Sequence, residues 1–337
     1  MSSRPADNSR VIRWGILGAG GIAATVSGDI AATPGNALHA VAARSGERAA
    51  TFAAEHAVER SYGSYAELVA DPDVDVVYVA TTHAQHRDHA LLALRAGKPV
   101  LVEKAFTLTA AQAREVVTTA REHRLFCMEA MWMRVDPLVR HTLDLLADGA
   151  IGDVIGVRAD LSKQFEYDPN GRLFDLEVGG GALLDLGVYP VTFAWLVLGR
   201  PDSQVVTGAL APTGTDMTAA LQWHYDDGRL AQIYCSAASY SPYAALITGT
   251  DGWLRVEGRV HHPAAITVHS SAGERVVDAA PVVGRGYGHQ VAEVARCLRA
   301  GELESPLVPL DETVGVMELL DDARRQLGVR YPADAEG

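Results

Sequence analysis

A glycine-rich turn near the start of the chain has the residue types and spacing to bind phosphate groups. The apolar run Ile12–Leu17 leads directly into the residues Gly18-Ala19-Gly20-Gly21-Ile22-Ala23. This G-x-G-x-x-A pattern, placed between a strand and a helix, is the fingerprint of dinucleotide binding. Gly18 permits the tight turn, Gly20 lets the backbone approach a pyrophosphate, and Ala23 allows the helix to pack closely on the strand. The N–H groups at the helix start, from Gly21 and Ile22 onward, would bind that pyrophosphate.

The end of the second apolar run indicates which dinucleotide is bound. NAD enzymes tend to carry an acidic residue there for the ribose 2′-hydroxyl, but this chain reads Ala42-Ala43-Arg44-Ser45. Arg44 can pair with a 2′-phosphate, Ser45 can donate a hydrogen bond to it, and Arg48 follows one helical turn later. The sequence therefore predicts NADP as the cofactor rather than NAD. The alternative is that Arg44 is an ordinary exposed residue at a strand end.

The elements around this turn alternate between short apolar runs and helical segments. The runs cover residues 12–17, 38–43, 74–80 and 99–102. The helical segments cover residues 47–56, 65–70 and 86–96, and a further helix capped by Thr109 runs to residue 123. Runs without strict polar alternation are typical of strands buried on both faces. We expect an α/β fold with an N-terminal Rossmann domain, a doubly wound parallel sheet covered by helices.

The pattern changes after Glu129. We expect a helix over residues 137–148, a strand over 153–162 and a long apolar helix over 181–198 that follows three glycines. Alternating runs with turn signals between residues 202 and 279 predict an open, mainly antiparallel sheet. Helices over 287–300 and 310–327 complete the chain. The predicted division is a disordered leader (1–10), a Rossmann domain (11–129), an α/β substrate and dimerisation domain (130–331) and a tail (332–337).

Length and composition restrict the function classes. A chain of 337 residues is long enough for two domains, and its 48% hydrophobic and 21% charged residues are typical of a globular protein. The net charge of −13 disfavours nucleic-acid binding. The three cysteines are too few and too far apart for a disulfide framework or a zinc site. A polar N-terminus and the lack of a long uninterrupted apolar stretch predict a cytoplasmic protein that does not bind a membrane.

Several segments resemble the glucose-fructose oxidoreductase, inositol dehydrogenase and MocA family. These segments are residues 13–23, Val102-Glu103-Lys104, Met128-Glu129-Ala130-Met131-Trp132 and the stretch from Gly179 to Pro190. The resemblance runs from residue 11 to residue 331 and is greatest to the branch of dimeric dihydrodiol dehydrogenase and NADP-dependent D-xylose dehydrogenase. It implies hydride transfer between a nicotinamide cofactor and a sugar or cyclic trans-diol. It also implies a homodimer formed through the C-terminal sheet.

The same resemblance implies the catalytic residues. The family's catalytic lysine falls on Lys104, its later aspartate on Asp185, and its acid/base residue on Tyr189, which is a tyrosine in the branch named. Ala105 stands where the family usually has a proline after the lysine. Oxidising an alcohol moves a hydride to the cofactor and a proton to a base. We expect Tyr189 to accept the proton, Lys104 to lower the phenol pKa and hold the substrate hydroxyl, and Asp185 to orient the substrate; the roles of Lys104 and Tyr189 could be exchanged.

Further candidates are residues at the ends of strands. We expect the cofactor to contact Thr81, His83, His86, Glu103 and Lys104, and the substrate to contact His86, Trp132 and Arg134. For Trp132 and Arg134 the alternative is a packing role. The spacing of His83, His86 and His89 could suggest a metal, but no acidic or cysteine ligands accompany it, so no metal site is predicted.

Two other functions remain possible for such a sequence. One is a glycoside hydrolase of the same fold that uses tightly held NAD for a transient oxidation. The other is a non-catalytic regulator that binds a dinucleotide. Arg44 argues against the first, and the joint presence of Lys104, Asp185 and Tyr189 argues against the second.

Overall fold

The protein divides into two compact units in a computed structural model that describes residues 10–282 and 284–335. The first unit contains Met1–Val135 and Val282–Val314, and the second contains Asp136–Pro281 and Gly315–Gly337. Residues 1–9 of the expected leader and residues 336–337 of the expected tail lie outside the described residues. Within that tail, Pro332–Ala335 form a 3-10 turn.

The first unit is built on a six-stranded parallel sheet. Its strands are β1 (Ile12–Leu17), β2 (Asn36–Ala42), β3 (Arg60–Tyr62), β4 (Val76–Val79), β5 (Val100–Val102) and β6 (Cys127–Glu129). The spatial order is β3-β2-β1-β4-β5-β6, and every pairing is parallel. This is the strand order of a Rossmann fold, with its switch point between β1 and β4. The prediction of a doubly wound parallel sheet is confirmed.

Helices connect and cover these strands. They are α1 (Gly21–Ala32), α2 (Gly46–His56), α3 (Tyr65–Ala70), α4 (His83–Arg95) and α5 (Ala110–His123). The side chain of Thr109 accepts a hydrogen bond from the backbone N–H of Gln112, so the predicted cap of α5 is confirmed. The helix α4 begins at His83, three residues earlier than predicted, because Thr82 is already extended and ends the preceding loop.

A late segment of the chain, Val282–Val314, belongs to the first unit. The predicted division places this segment in the second domain, which is expected to cover residues 130–331. The segment contains the helix that we number α8 (Gly288–Ala300), after the second-unit helices α6 (Pro137–Ala147) and α7 (Val188–Leu198). The buried carboxylate of Asp29 on α1 accepts hydrogen bonds from the backbone N–H groups of Arg285 and Tyr287. The apolar face of α8, including Val291 and Val294, is fully buried. This packing ties residues that are about 256 positions apart in the chain.

The second unit is built on an eight-stranded mixed sheet. Its strands are β7 (Val154–Ser162), β8 (Ser203–Leu210), β9 (Asp216–His224), β10 (Leu230–Ser236), β11 (Ala245–Gly249), β12 (Gly252–Arg259), β13 (His262–Ser270) and β14 (Gly273–Asp278). The order is β14-β13-β12-β11-β7-β10-β9-β8. Only β7 and β10 pair in parallel, and the six other pairings are antiparallel. The predicted mainly antiparallel sheet is confirmed.

The predicted helix over residues 181–198 is present as one continuous helical segment, but its first turn departs from regular α-helical geometry. Residues Leu183–Gly187 form a π-helical turn, and only then does the regular helix α7 begin. The segment Leu176–Leu198 is long and apolar enough to cross a membrane, with a mean hydropathy of 1.6, but 78% of its most apolar window is buried in the protein. It is packed as the core helix of the second unit. The last long helix, α9 (Leu310–Leu327), matches its predicted bounds.

Candidate functional site

The glycine turn has the geometry that a pyrophosphate requires. Gly18 has φ +106°, and a Cβ there would lie 2.6 Å from the carbonyl oxygen of Ala80, so only glycine fits. At Gly20 and Gly21 a Cβ would meet nothing within 4 Å, so this backbone is open to a ligand. No side chain caps α1, and no acidic residue lies in its first turn. The turn therefore fits a dinucleotide, whose pyrophosphate would be bound by the helix N-terminus.

The predicted 2′-phosphate residues cluster at the carboxyl end of β2. Arg44, Ser45 and Arg48 are all exposed. The hydroxyl of Ser45 accepts a hydrogen bond from the backbone N–H of Arg48, and so caps α2. The guanidinium of Arg48 donates to the carbonyl oxygen of Ala19, at 2.9 Å from its terminal nitrogen. This bond joins the end of β2 to the glycine turn.

Lys104 lies two residues after the end of β5, and its backbone is contacted by two histidines in the first turn of α4. His83 Nε2 lies 3.3 Å from the carbonyl oxygen of Lys104, and His86 Nδ1 lies 2.9 Å from that of Ala105. The Lys104–Ala105 peptide bond is cis, and Ala105 is fully buried. Burial, followed by the neighbouring His83, lowers the pKa of His86 to about 3, so His86 is neutral at physiological pH.

Glu103 lies beside Lys104 and is also enclosed. Its carboxylate accepts hydrogen bonds from the hydroxyl of Tyr78 and from the backbone N–H of Lys104. Glu103 and Tyr78 are both buried. The geometry gives His83, His86 and Glu103 a role in fixing the backbone at Lys104, while their contact with a cofactor stays a prediction. His86 Nε2 lies 3.2 Å from the carbonyl oxygen of Thr81, and the neutral ring can donate its single N–H either to this oxygen or to that of Ala105.

The two predicted substrate residues after β6 differ in their surroundings. The ring of Trp132 stacks on Tyr287, with centroids 4.4 Å apart and an interplanar angle of 27°. Arg134 is 1% exposed and donates to Glu312 at 2.6 Å. Trp132 is 4% exposed, which fits the alternative packing role, whereas Tyr287 is only partly buried. The burial of Arg134 is what the alternative packing role predicts.

The second unit carries Asp185 and Tyr189. Asp185 lies in the π-helical turn Leu183–Gly187, and its carboxylate pairs with the guanidinium of Arg172 at 3.0 Å. Tyr189 lies in the first turn of α7, is 7% exposed, and stacks on the ring of His261. A π-helical turn inside a helix is often found at functional sites.

A buried acidic residue fixes the start of this helical segment. The carboxylate of Asp216 accepts a hydrogen bond from the backbone N–H of Leu183 at 2.5 Å. Gly181 has φ +132°, and a Cβ there would lie 2.2 Å from Asp216 Oδ1. The hydroxyl of Tyr331 donates to the carbonyl oxygen of Gly180 at 2.7 Å. These contacts explain Gly181, because the carboxylate of Asp216 occupies the space that a Cβ at this position would need.

Replacing Asp216 with asparagine should change how stability depends on pH. Burial raises the pKa of Asp216 from 3.8 to about 6, so the folded protein keeps a proton that the unfolded chain releases between these values. This group therefore lowers the free energy of unfolding as the pH rises from 4 to 6. We expect Asp216→Asn to remove this pH dependence of the free energy of unfolding. In wild type the loss is on the order of 2 to 3 kcal/mol by pH 7. Denaturant unfolding across this pH range measures it, and parallel curves for the two proteins would contradict it.

Among the described residues, one group of three side chains could hold a metal ion: His39, Asp71 and Asp73. The guanidinium of Arg60 already contacts both carboxylates at 3.0 Å. This group is an ion-pair cluster and contains none of His83, His86 and His89.

Comparison with known proteins identifies the family. Residues 12–131 match the oxidoreductase family with an NAD-binding Rossmann fold, and residues 139–255 match the GFO/IDH/MocA C-terminal domain. The chain belongs to the GFO/IDH/MocA oxidoreductase family. Trans-1,2-dihydrobenzene-1,2-diol dehydrogenase of Mus musculus is 37% identical over 335 residues, covering 96% of this chain and 99% of its own. D-xylose 1-dehydrogenase (NADP(+)) of Hypocrea jecorina is 36% identical over 368 residues, covering 96% and 94%.

Solved structures of other proteins have a similar fold. The 3-ketoreductase KijD10 from Actinomadura kijaniata, in complex with NADP and TDP-benzene, matches with a TM-score of 0.82 and 26% identity, over 94% of this chain and 98% of its own. Levoglucosan dehydrogenase, in complex with NADH and levoglucosan, matches with a TM-score of 0.85 and 19% identity, over 94% and 97%. The expectation of an NAD(P)-dependent oxidoreductase of this family is confirmed. Both NADP and NADH occur among these relatives.

Three residues of the site are absent from the sequence-based predictions. Asp216 and His261 carry no motif, and each meets its partner only through long-range packing of the second unit. Arg172 begins the short 3-10 turn Arg172–Phe174, and an arginine there gives no signal by its type alone. Asp216 follows Thr215 at the start of β9, where the local sequence suggests a turn. This local pattern gives no indication that the carboxylate is buried.

Proposed function

We propose that the protein is an NADP-dependent oxidoreductase that transfers a hydride between the nicotinamide and a hydroxyl-bearing carbon of a sugar or cyclic trans-diol. The observation that carries the cofactor choice is the exposed group Arg44, Ser45 and Arg48, which is joined to the open glycine turn through Ala19. The 35–37% identity to dihydrodiol and D-xylose dehydrogenases supports the substrate class.

Replacing Arg44 with aspartate should change the cofactor preference. A charge-assisted bond to a phosphate contributes about 1.5 to 3 kcal/mol, and its loss corresponds to roughly 10- to 100-fold weaker use of NADP. The new carboxylate can accept a hydrogen bond from a ribose 2′-hydroxyl, so kcat/KM with NAD should hold or rise. Arg95→Asp, at an exposed arginine on α4, is the matched control. An unchanged NADP to NAD ratio would mean that another group holds the 2′-phosphate.

The proposed chemistry divides between the two units. The bound nicotinamide supplies the hydride acceptor for oxidation and the hydride donor for reduction. Tyr189 takes the proton of the reacting hydroxyl, so the substrate loses one hydride and one proton together. Lys104 holds that hydroxyl, and its positive charge favours the phenolate. Asp185 accepts a hydrogen bond from a second substrate hydroxyl, with its carboxylate oriented by Arg172.

The surroundings of Lys104 support its proposed role. A positioned lysine needs a fixed backbone, and the carbonyl oxygens of Lys104 and Ala105 lie within hydrogen-bond distance of His83 and His86. Because the pKa of His86 is about 3, this imidazole stays neutral and adds no charge that would compete with Lys104.

We propose that the partly exposed ring of Tyr287, which stacks on the buried Trp132, contacts a cyclic substrate. A sugar or cyclic diol has an apolar C–H face that packs on an aromatic ring, while its hydroxyls remain available for hydrogen bonds. Paired substrates test this proposal and locate the reacting carbon. Oxidation of an aldose but not of its methyl glycoside assigns the anomeric hydroxyl, and oxidation of both assigns a ring hydroxyl. Failure of every sugar and diol pair would contradict the substrate class.

We also propose a homodimer through the open face of the eight-stranded sheet. The register places Val205, Gln232, Arg158, Leu246 and Val276 in one row across that face. The exposed apolar side chains Val205 (61%), Leu230 (43%), Tyr234 (36%) and Val276 (58%) support burial by a second copy.

Charges placed on this face should separate the two copies. A carboxylate buried at an interface without a partner is costly, so we expect Leu230→Asp combined with Tyr234→Asp to give a monomer. Light scattering after gel filtration measures the mass. Val11→Asp, at a similarly exposed apolar residue of the first unit, is the control that should leave the mass unchanged. A wild-type monomer would contradict the proposal.

A further inference from the structure

A histidine in the second unit lies against the proposed acid/base residue. The rings of His261 and Tyr189 are stacked, with centroids 4.5 Å apart and an interplanar angle of 26°. Neither the glycine motif nor the family segments include His261, which lies between β12 and β13. The contact joins a sheet turn to the first turn of α7.

Both neighbours of His261 hold this turn in place. Val260 is fully buried, and its backbone N–H donates to the carbonyl oxygen of Tyr243 at 2.6 Å. On the other side, His262 Nδ1 lies 2.9 Å from the carboxylate of Asp136. Asp136 is itself fixed, because it caps α6 by accepting from the backbone N–H of Leu138. The position of the His261 imidazole is therefore set by contacts of the residues before and after it.

The need for such a contact follows from the side-chain torsions of tyrosine. The torsion that rotates a phenol ring about its own axis has a broad energy well, so packing must set the plane of the ring. This rotation leaves the hydroxyl oxygen in place but turns the plane of its lone pairs, and a proton acceptor must be held within about 10 to 20° of the productive geometry. A flat ring stacked on the phenol restricts that rotation, and an aliphatic side chain would do so less effectively.

We infer that His261 is a positioning residue for Tyr189, which fixes the plane of the phenol for proton transfer. This inference rests on the proposed function, in which Tyr189 takes the proton of the reacting hydroxyl. The role belongs to the flat ring of His261, and the imidazole itself exchanges no proton with the substrate. A planar apolar ring should therefore replace it.

The test compares three single variants of the intact protein. We expect His261→Ala to lower kcat about tenfold with little change in KM, because a misplaced acceptor weakens only the transition state. His261→Phe should stay within about threefold of wild type. His269→Ala is the matched control: it removes an imidazole of β13 that stacks on Trp253, with centroids 5.1 Å apart, and it should leave kcat unchanged. Equal kcat values for His261→Ala and wild type would overturn the inference.

A double-mutant cycle separates positioning from general destabilisation. In a Tyr189→Phe background, His261→Ala should lower kcat no further, since the group that it positions is already gone. An equal tenfold loss in both backgrounds would overturn the inference. A second cycle, with Tyr189→Ala in place of Tyr189→Phe, removes the stacked ring, and thermal unfolding of its four proteins measures the ring contact without using turnover. If the two substitutions are coupled in thermal unfolding but the wild-type protein shows no turnover, the proposed function is contradicted while the ring contact stays established.

Discussion

Tyr189→Phe should lower turnover by about 10²-fold or more, because it removes the group that takes the proton while keeping the ring that packs against its neighbours. Binding of NADP should change little, since the glycine turn and Arg44 belong to the first unit. Steady-state kinetics with the best substrate, together with a titration of NADPH fluorescence, measures both quantities.

Tyr225→Phe is the matched control for this variant. Tyr225 is also buried in the second unit, where its hydroxyl donates to the carbonyl oxygen of Gly199 at 2.8 Å. Its loss should cost about 1 kcal/mol of stability and leave turnover unchanged. Equal turnover of Tyr189→Phe and wild type would remove Tyr189 from the mechanism.

Lys104→Met should lower turnover on the order of 10²-fold at neutral pH, because a lost cation makes the phenolate harder to form by one to three pH units. The loss should shrink as the pH rises, since alkaline conditions form the phenolate without help. Tyr189→Phe should gain nothing at high pH. A pH profile of kcat/KM for both variants distinguishes the two roles, and the reverse pattern would mean that Lys104 takes the proton.

Lys98→Met is the control for the loss of a lysine charge. The ammonium of Lys98 donates to the carbonyl oxygens of Asp71 and Val74, at 2.7 and 2.8 Å, and so has a structural role. We expect lower stability and near-normal turnover. Turnover of Lys104→Met that matches Lys98→Met at every pH would exclude a catalytic role for Lys104.

The sequence predicts the first unit well because its signals are local. The glycines after β1 and the cap at Thr109 each act within a few residues, and the structure has both. The segment that contains α8 is bound to this unit through Asp29. The carboxylate of Asp29 accepts hydrogen bonds from backbone N–H groups about 256 residues away in the chain. A buried aspartate inside a helix resembles an exposed one in sequence, so this domain boundary could not be predicted from local pattern.

The second unit shows the same limit at its candidate site. The four-residue spacing of Asp185 and Tyr189 predicts one helix, yet Asp185 lies in a π-helical turn. The local sequence does not predict this turn. Its first residue, Leu183, is held by Asp216, which lies 33 positions later in the chain at the start of a strand. The stacking of His261 on Tyr189 likewise depends on how β12 and β13 are joined. The family resemblance predicts the candidate residues, whereas the packing of the sheet determines how they are held.

The most direct test of NADP-dependent oxidation is the formation of NADPH, followed by absorbance, with NADP or NAD and a panel of aldoses, inositols and trans-dihydrodiols. We predict turnover with NADP on at least one aldose or trans-diol, a lower kcat/KM with NAD, and release of reduced cofactor in proportion to product. Turnover with NAD alone would contradict the role given to Arg44. Cofactor that binds but is reduced by no member of the panel, with no reoxidation by the matching keto-sugars, would contradict the central proposal.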